Sequence, residues 1–324
     1  MRRSEVSVGD MSSKKWWLLI AGAAVIVLVV IIVAVAVAVW VLPGTKAYSP
    51  FGKKIAVLDI RGPINSSEGL IKIIHAYRDD PTVAAVVLYV DSPGGSVAPV
   101  QEIYTELVRL RDKNKKIYAY MSTLGASGAY YVACSSEKIY ASPGTLTGSL
   151  GVVMTFTNVE GLFGKIGLSS RTIKSGRYKD IGSPFRPMTP EEEALLGETV
   201  DDVYQQFLDT VVEARRPAIA AKLKAEGEES PSRYRVRHYV LKYADGRIFS
   251  GRQAQKAGFV DELGNFQQCL KDVAKEVGIK GRPPVVRKKL KEKSFYETLF
   301  GRVKTELLGL GDSGPRVEFK YSLY

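Results

Sequence analysis

The chain has 324 residues, with 46 Lys and Arg against 34 Asp and Glu, for a formal net charge of +12. A composition that is 45% apolar and 25% charged excludes an intrinsically disordered chain. Two cysteines, Cys134 and Cys269, exclude a disulfide framework and a cysteine-based zinc cluster, and because no recognition motif accompanies the basic excess, no nucleic acid is expected as a partner.

From Trp16 to Thr45 there is no charged residue, and the apolar part runs to about Leu42. A helix of that length, rising ~1.5 Å per residue, exceeds the ~30 Å hydrocarbon core of a bilayer. Trp16, Trp17 and Trp40 stand where interfacial anchors belong. A secretory signal would have an apolar region of only about 7–15 residues. A transmembrane anchor over residues 16–42 is therefore expected, with membrane lipid as its partner. Arg2, Arg3, Lys14 and Lys15 flank one side, and Lys46, Lys53 and Lys54 the other. The simplest topology keeps residues 1–15 in the cytoplasm and carries the large domain to the extracytoplasmic side.

Residues 43–53 read as a linker. A strand pattern follows over 53–62, then a helix over 66–80 with Leu70, Ile73 and Ile74 at helical spacing. AAVVLYVD (84–91) is a continuous apolar run, typical of a strand buried on both faces. SPGG breaks it, and a helix pattern resumes to about Arg111. Residues 115–122 predict a strand, 124–136 a turn plus helix, and 137–143 a short strand. The run at 190–216 predicts a long helix, acidic at its start as the helix dipole favours. Residues 244–264 read as turn, short strand, helix and turn. Strands alternating with helices argue an α/β domain, placed at 54–281. A basic tail follows over 282–324, with Arg287, Lys288, Lys289, Lys291 and Lys293 close together. Within it, residues 294–310 predict an amphipathic helix with Phe295, Leu299, Phe300, Val303 and Leu307 on its apolar face.

Two strand ends carry glycine turns: DSPGGSV (91–97) and GASGA (125–129). In open α/β sheets, loops at the carboxyl ends of strands line the active crevice. Ser127, set among Gly and Ala, is either a close-packing turn or a displayed nucleophile. Ala129 occupies the place of the second Gly, so the stretch is not the G-x-S-x-G elbow. The N–H of Gly128, with one from Gly95, would make an oxyanion hole. A nucleophilic hydroxyl needs a base. His75 lies in a predicted helix and His238 in an Arg/Tyr-rich segment, so a Ser-His-Asp triad is poorly supported. A Ser-Lys pair is a known variant. Lys138, Lys165, Lys174 and Lys179 are its candidates, Lys179 lying in a Gly- and Pro-rich loop at 173–189. Cys134 reads as a small buried hydrophobe rather than a reactive thiol.

DSPGGSV, GASGAYYVA, SPGTLTGSLGV (142–152), IKSGRYKDIGSP and ADGRIFSGRQAQKAGFVDELG follow one another in this order. With them, about residues 54–280 resemble the signal peptide peptidase A family of serine proteases. The resemblance implies an α/β fold of Clp protease/crotonase-like repeated ββα units, here preceded by one N-terminal transmembrane helix. It implies that Ser127 is the nucleophile, Lys179 the general base and Ser149 the hydroxyl that holds the lysine amine. It also makes Gly95 and Gly128 the oxyanion-hole donors. The family usually reads A-S-G-G-Y-Y around the nucleophile, and Ala129 replaces the second of those glycines. The resemblance implies no cofactor and no metal. It implies a homo-oligomeric dome in which Lys179 serves the Ser127 of its own or a neighbouring chain. Its substrates would be cleaved signal peptides and other short unfolded or membrane-released peptides. The alternatives are a protease specific for a membrane partner protein, crotonase chemistry on acyl thioesters, and a catalytically inactive scaffold.

Overall fold

The computed structural model describes residues 13–41, 52–288 and 317–320. The chain divides into two units, Met1–Gly52 and Lys53–Tyr324. In the first, helix α1 (Ser13–Val41) is 29 residues long. Its described side chains, Trp16, Trp17 and residues 20–34, are exposed. Among the described residues no helix is long and apolar enough to cross a membrane. The expected anchor at 16–42 extends past the described side chains at its C-terminal end.

The second unit runs β1 (Lys54–Arg61), α2 (Glu68–Arg78), β2 (Val83–Ser92), β3 (Gly94–Ser96), α3 (Val97–Asp112), β4 (Lys116–Ala126) and α4 (Gly128–Ala133). It continues through β5 (Lys138–Ala141), β6 (Leu146–Gly148), β7 (Val153–Met154), α5 (Glu160–Lys165), α6 (Pro190–Ala225) and α7 (Arg233–Leu241). β8 (Ile248–Ser250), α8 (Gly251–Lys256), β9 (Glu262–Leu263), α9 (Phe266–Glu276), β10 (Val285–Arg287) and β11 (Val317–Lys320) complete it. The main sheet has the order β10-β1-β2-β4-β5-β9, with neighbours parallel. β6 pairs in parallel with the far end of β4, and β8 pairs antiparallel with β6.

Strand alternation explains the continuous apolar runs, because each central strand has both faces covered. Ala56, Leu58 and Ile60 of β1, Val86, Leu88 and Val90 of β2, and Ile117, Ala119 and Met121 of β4 join one core with the helices α2, α3, α4, α6 and α7. The intervening Ile55 and Val57, Ala85 and Val87, and Tyr118 and Tyr120 join a second core with Cys269, Leu270 and Val273 of α9. Both cysteines are buried, and burial pushes each thiol up to about 12. They are packing residues, as read from the sequence for Cys134.

Three segments depart from the expected boundaries. β4 does not turn at residue 122: it continues as Leu124, Gly125 and Ala126 pair with Leu146, Thr147 and Gly148 of β6. The long helix does not stop at Arg216 but passes through Pro217 to Ala225. A proline forfeits one helical hydrogen bond, and buried Ile219 and Leu223 beyond it supply the packing that keeps the helix intact. The start of the basic tail belongs to the sheet, since β10 pairs with β1 and Arg287 meets Asp59 at 2.8 Å. The helix expected at 294–310 lies outside the described residues.

Arg215 ties α6 to the sheet. It is 3% exposed, donates to both carboxylate oxygens of Asp261 at 2.7 and 2.8 Å, and donates to the Gly258 carbonyl at 3.0 Å. Asp261 in turn accepts from the Ile139 N–H of β5 at 2.7 Å. Arg215→Ala should cost about 3 kcal/mol, because it strands a largely buried carboxylate. A urea-unfolding midpoint unchanged from wild type would contradict this.

Candidate active site

Ser127 is where β4 ends and α4 begins. Its N–H donates to the Gly148 carbonyl at 2.8 Å, and its carbonyl accepts from the Tyr131 N–H at 2.9 Å. The strand and the first helical turn thus grip one residue from both sides. That residue adopts φ 54° and ψ −121°, a region that glycine enters freely and other residues rarely do. Among the described residues, the non-glycine residues at positive φ are Asn114, Ser127 and Ser149. Asn114 follows the end of α3, where asparagine tolerates this conformation. The two serines have no such ordinary reason, and backbone strain of this kind collects at functional sites.

Ser149 is the neighbour of Ser127 in space. Ala126 is in register with Gly148, so the next residue on each strand is one of these serines. Ser149 has φ 50°, and its N–H donates to the Arg247 carbonyl at 2.8 Å. It is 7% exposed and lines a cavity of about 320 Å³ with Leu150, Val153, Tyr204 and Gly246. Ser127 is fully buried, and its Oγ has no hydrogen-bond partner among the described residues. An orphaned buried hydroxyl costs about 1–3 kcal/mol, which suits a group kept for chemistry better than one kept for packing.

Gly128 opens α4, where helix geometry leaves the N–H without an intrahelical acceptor. Gly95 is held by the segment that follows β1. The Ile64 N–H donates to the Gly94 carbonyl at 2.8 Å, and the Ser96 N–H donates to the Ile64 carbonyl at 2.9 Å. A Cβ on Gly95 would stand 2.2 Å from the Ile64 carbonyl oxygen, so only glycine fits. Because strand amides alternate in direction, the Gly95 N–H faces away from Ile64. β3 lies beside α4, which brings Gly95 to the same end of the sheet as Gly128. The sequence read the 91–97 segment as a turn. The structure makes it strand, pinned by Ile64.

The four candidate lysines separate clearly. Lys138 donates to Glu276 at 2.7 Å, and that hydrogen bond raises its pKa, the opposite of what a base needs. Lys174 is bonded to Asp180 and to the Arg177 carbonyl. Lys165 is exposed in the last turn of α5. Lys179 is exposed as well and makes no hydrogen bond to Ser127. Both histidines are occupied elsewhere or solvent-facing, His75 with Glu106 at 2.8 Å and His238 exposed on α7.

The loop carrying Lys179 is braced in a way sequence reasoning missed. Arg186 donates to both oxygens of Asp180 at 2.9 Å and reaches Glu192 at 2.8 Å. These bonds hold the Asp180 carboxyl well below its ordinary range and the Glu192 carboxyl down to about 2. Glu192 also completes a capping box with Thr189 at the start of α6. The T-x-x-E spacing at 189–192 was the available signal for that anchor. Near Lys179 the chain also exposes Leu162, Ile166, Leu168 and Ile173, the last 93% exposed.

A model of the family described as Peptidase family S49 matches residues 109–233 and 230–280. A Synechocystis protein named "Putative protease" is 35% identical over 282 residues, covering 83% of this chain and 93% of its own length. A Methanocaldococcus jannaschii protein of the same description is 36% identical over 241 residues, covering 74% of this chain and 70% of that one. A "Putative signal peptide peptidase SppA" of Enterococcus faecium is 31% identical over 237 residues, covering 69% of this chain and 64% of that one.

Proposed function

We propose, from the premise that this chain belongs to peptidase family S49 and is a serine-type protease, that Ser127 is its nucleophile and Lys179 its general base. The observation that carries this reading is Ser127 itself: strained, buried, and with no hydrogen-bond partner for its Oγ among the described residues. In the proposed reaction the neutral Lys179 amine takes the Ser127 proton as Oγ attacks a peptide carbonyl. The Gly95 and Gly128 N–H groups hold the resulting oxyanion. Lys179 then protonates the departing amine, and water hydrolyses the ester to free Ser127. Ser149 orients the lysine amine.

Among the described residues the Ser127 Oγ meets no hydrogen-bonding base, while Lys179 is exposed and Leu162, Ile166, Leu168 and Ile173 of the preceding segment are uncovered. A homo-oligomer answers both points if that loop packs on a neighbouring copy and delivers Lys179 to its Ser127. The architecture is the repeated ββα type. Residues 16–42 anchor the assembly in the membrane with the protease domain on the extracytoplasmic side. Substrates are cleaved signal peptides and short unfolded or membrane-released segments, for which a site at the ends of strands offers backbone pairing.

The direct test uses the full chain in detergent, with an unfolded protein and a synthetic signal peptide as substrates. Cleavage of both is expected. An assembled chain that is inert on both would favour the scaffold or thioester alternative.

A further inference from the structure

A cavity of about 1170 Å³ lies between α9 and β10. Leu270, Ile279 and Val285 give it an apolar floor. Four cations line it, Lys271 and Lys275 of α9 and Lys280 and Arg282 of the segment leading into β10. They stand against one lining carboxylate, Asp272, which accepts from Gln268 at 2.7 Å. All four cations are exposed, and among the described residues none of them is in an ion pair. The helix dipole accounts for Lys275 in the last turn of α9. It does not account for Lys271 one turn earlier, where like charges at i,i+4 repel.

Val285 links this cavity to an unpaired sheet edge. Among the described residues β10 ends the main sheet, with β1 on one side and no strand on the other. The Ile55 N–H donates to the Pro284 carbonyl at 2.9 Å, so alternation along the strand turns the N–H and C=O of Val285 and of Arg287 away from β1. Tyr77 closes the pairing after Arg287. Its hydroxyl accepts from the Lys288 N–H at 2.8 Å and donates to the Val57 carbonyl at 2.9 Å. The outward amides and carbonyls of Val285 and Arg287 are the template that an added strand uses. The cations beside them bar the same edge of a second copy, which would bring like charge, and select a strand that carries carboxylates.

We propose that this groove docks an acidic, extended segment of a partner protein, which adds to β10 as a further strand and sets its carboxylates against Lys271, Lys275, Lys280 and Arg282. The segment's backbone supplies the pairing that the outer edge of β10 lacks, and its side chains supply the counter-charge that the four cations lack. Alternate side chains of a strand point to one face, so Asp or Glu at every second position faces the cavity. An anionic lipid headgroup would satisfy the cations and leave the strand edge unpaired, so the two observations together favour a peptide. The site uses none of Ser127, Lys179 and Gly95, and it stands or falls apart from the protease reading.

The experiment uses the full chain in detergent, in a Ser127→Ala background so that the probe is not cut. The probe is a fluorescent peptide of alternating Glu and Val, read by anisotropy. It should bind saturably and about tenfold tighter than the matching peptide of alternating Lys and Val. Methylating the backbone nitrogens keeps the charge and removes the strand pairing, and should weaken binding about tenfold. Lys271→Glu with Lys275→Glu, and separately Lys280→Glu with Arg282→Glu, should each weaken it about tenfold. All four side chains are exposed, so both double variants should fold. Phosphatidylglycerol added to the micelles should leave peptide binding unchanged. Equal binding of the Glu and Lys peptides, or binding that neither double variant weakens, would overturn the site. Charge-dependent binding that methylation leaves unchanged, or displacement of the peptide by phosphatidylglycerol, would overturn the added strand and leave a simple anion surface.

Discussion

Ser127→Ala should abolish peptide cleavage, with kcat falling by on the order of 10⁶, the scale seen when a serine nucleophile is removed. Its fold should survive. The buried Oγ has no hydrogen-bond partner among the described residues, so removing it should raise the unfolding free energy by about 1 kcal/mol rather than lower it. Ser127→Gly sharpens the test. At φ 54° and ψ −121° a glycine carries none of the strain of a side chain, and a further relief of about 1 kcal/mol relative to Ser127→Ala is expected despite the greater freedom of the unfolded glycine chain. A variant that is dead but more stable would show that the strain is kept for chemistry. Urea titration beside the cleavage assay measures both quantities. A Ser127→Ala chain that still cuts at the wild-type rate sinks the assignment of the nucleophile.

Lys179→Ala should be as inactive as Ser127→Ala, and the two together report how the site is assembled. In the proposed oligomer a serine from one copy meets a lysine from the next. Mixing the two dead chains and letting them co-assemble should then restore about a quarter of the sites, those where an intact serine neighbours an intact lysine. If each lysine serves its own chain, mixing restores nothing. A Lys179→Ala chain with normal kcat would reassign the base and leave Ser127 untouched. The Arg186 brace gives a further control, since it holds the loop through Asp180 and Glu192 without touching Ser127.

Much of the scaffold was legible because burial on both faces writes itself as uninterrupted apolar runs. AAVVLYVD became β2, and its alternate residues divide between two cores as strand geometry requires. The start of α6 was legible from Pro190 and the acidic first turn. Its end was not, because Pro217 reads locally as a stop and only the packing of Ile219 and Leu223 carries the helix past it. The small residues of LGASGA suggested a turn before Ser127. They are strand up to Ala126, because the partner that extends β4 is β6, some twenty residues away.

By itself the sequence determined the alternation of strands and helices, the uncharged N-terminal run, and the order of motifs on which the family resemblance rests, and that resemblance is what proposes Ser127, Ser149, Lys179, Gly95 and Gly128. These are properties of residue type and spacing, and residue type and spacing are what a sequence contains. Tertiary structure alone decided that Ser127 and Ser149 take left-handed backbone conformations on adjacent strand ends. It decided that the Ile64 carbonyl permits no side chain at 95, that the Ser127 Oγ has no hydrogen-bond partner among the described residues, and that residues 317–320 pair with β3 and β7. Each of these depends on which backbone amide faces which neighbour. That is set by register between segments distant in the chain, and no local pattern encodes it.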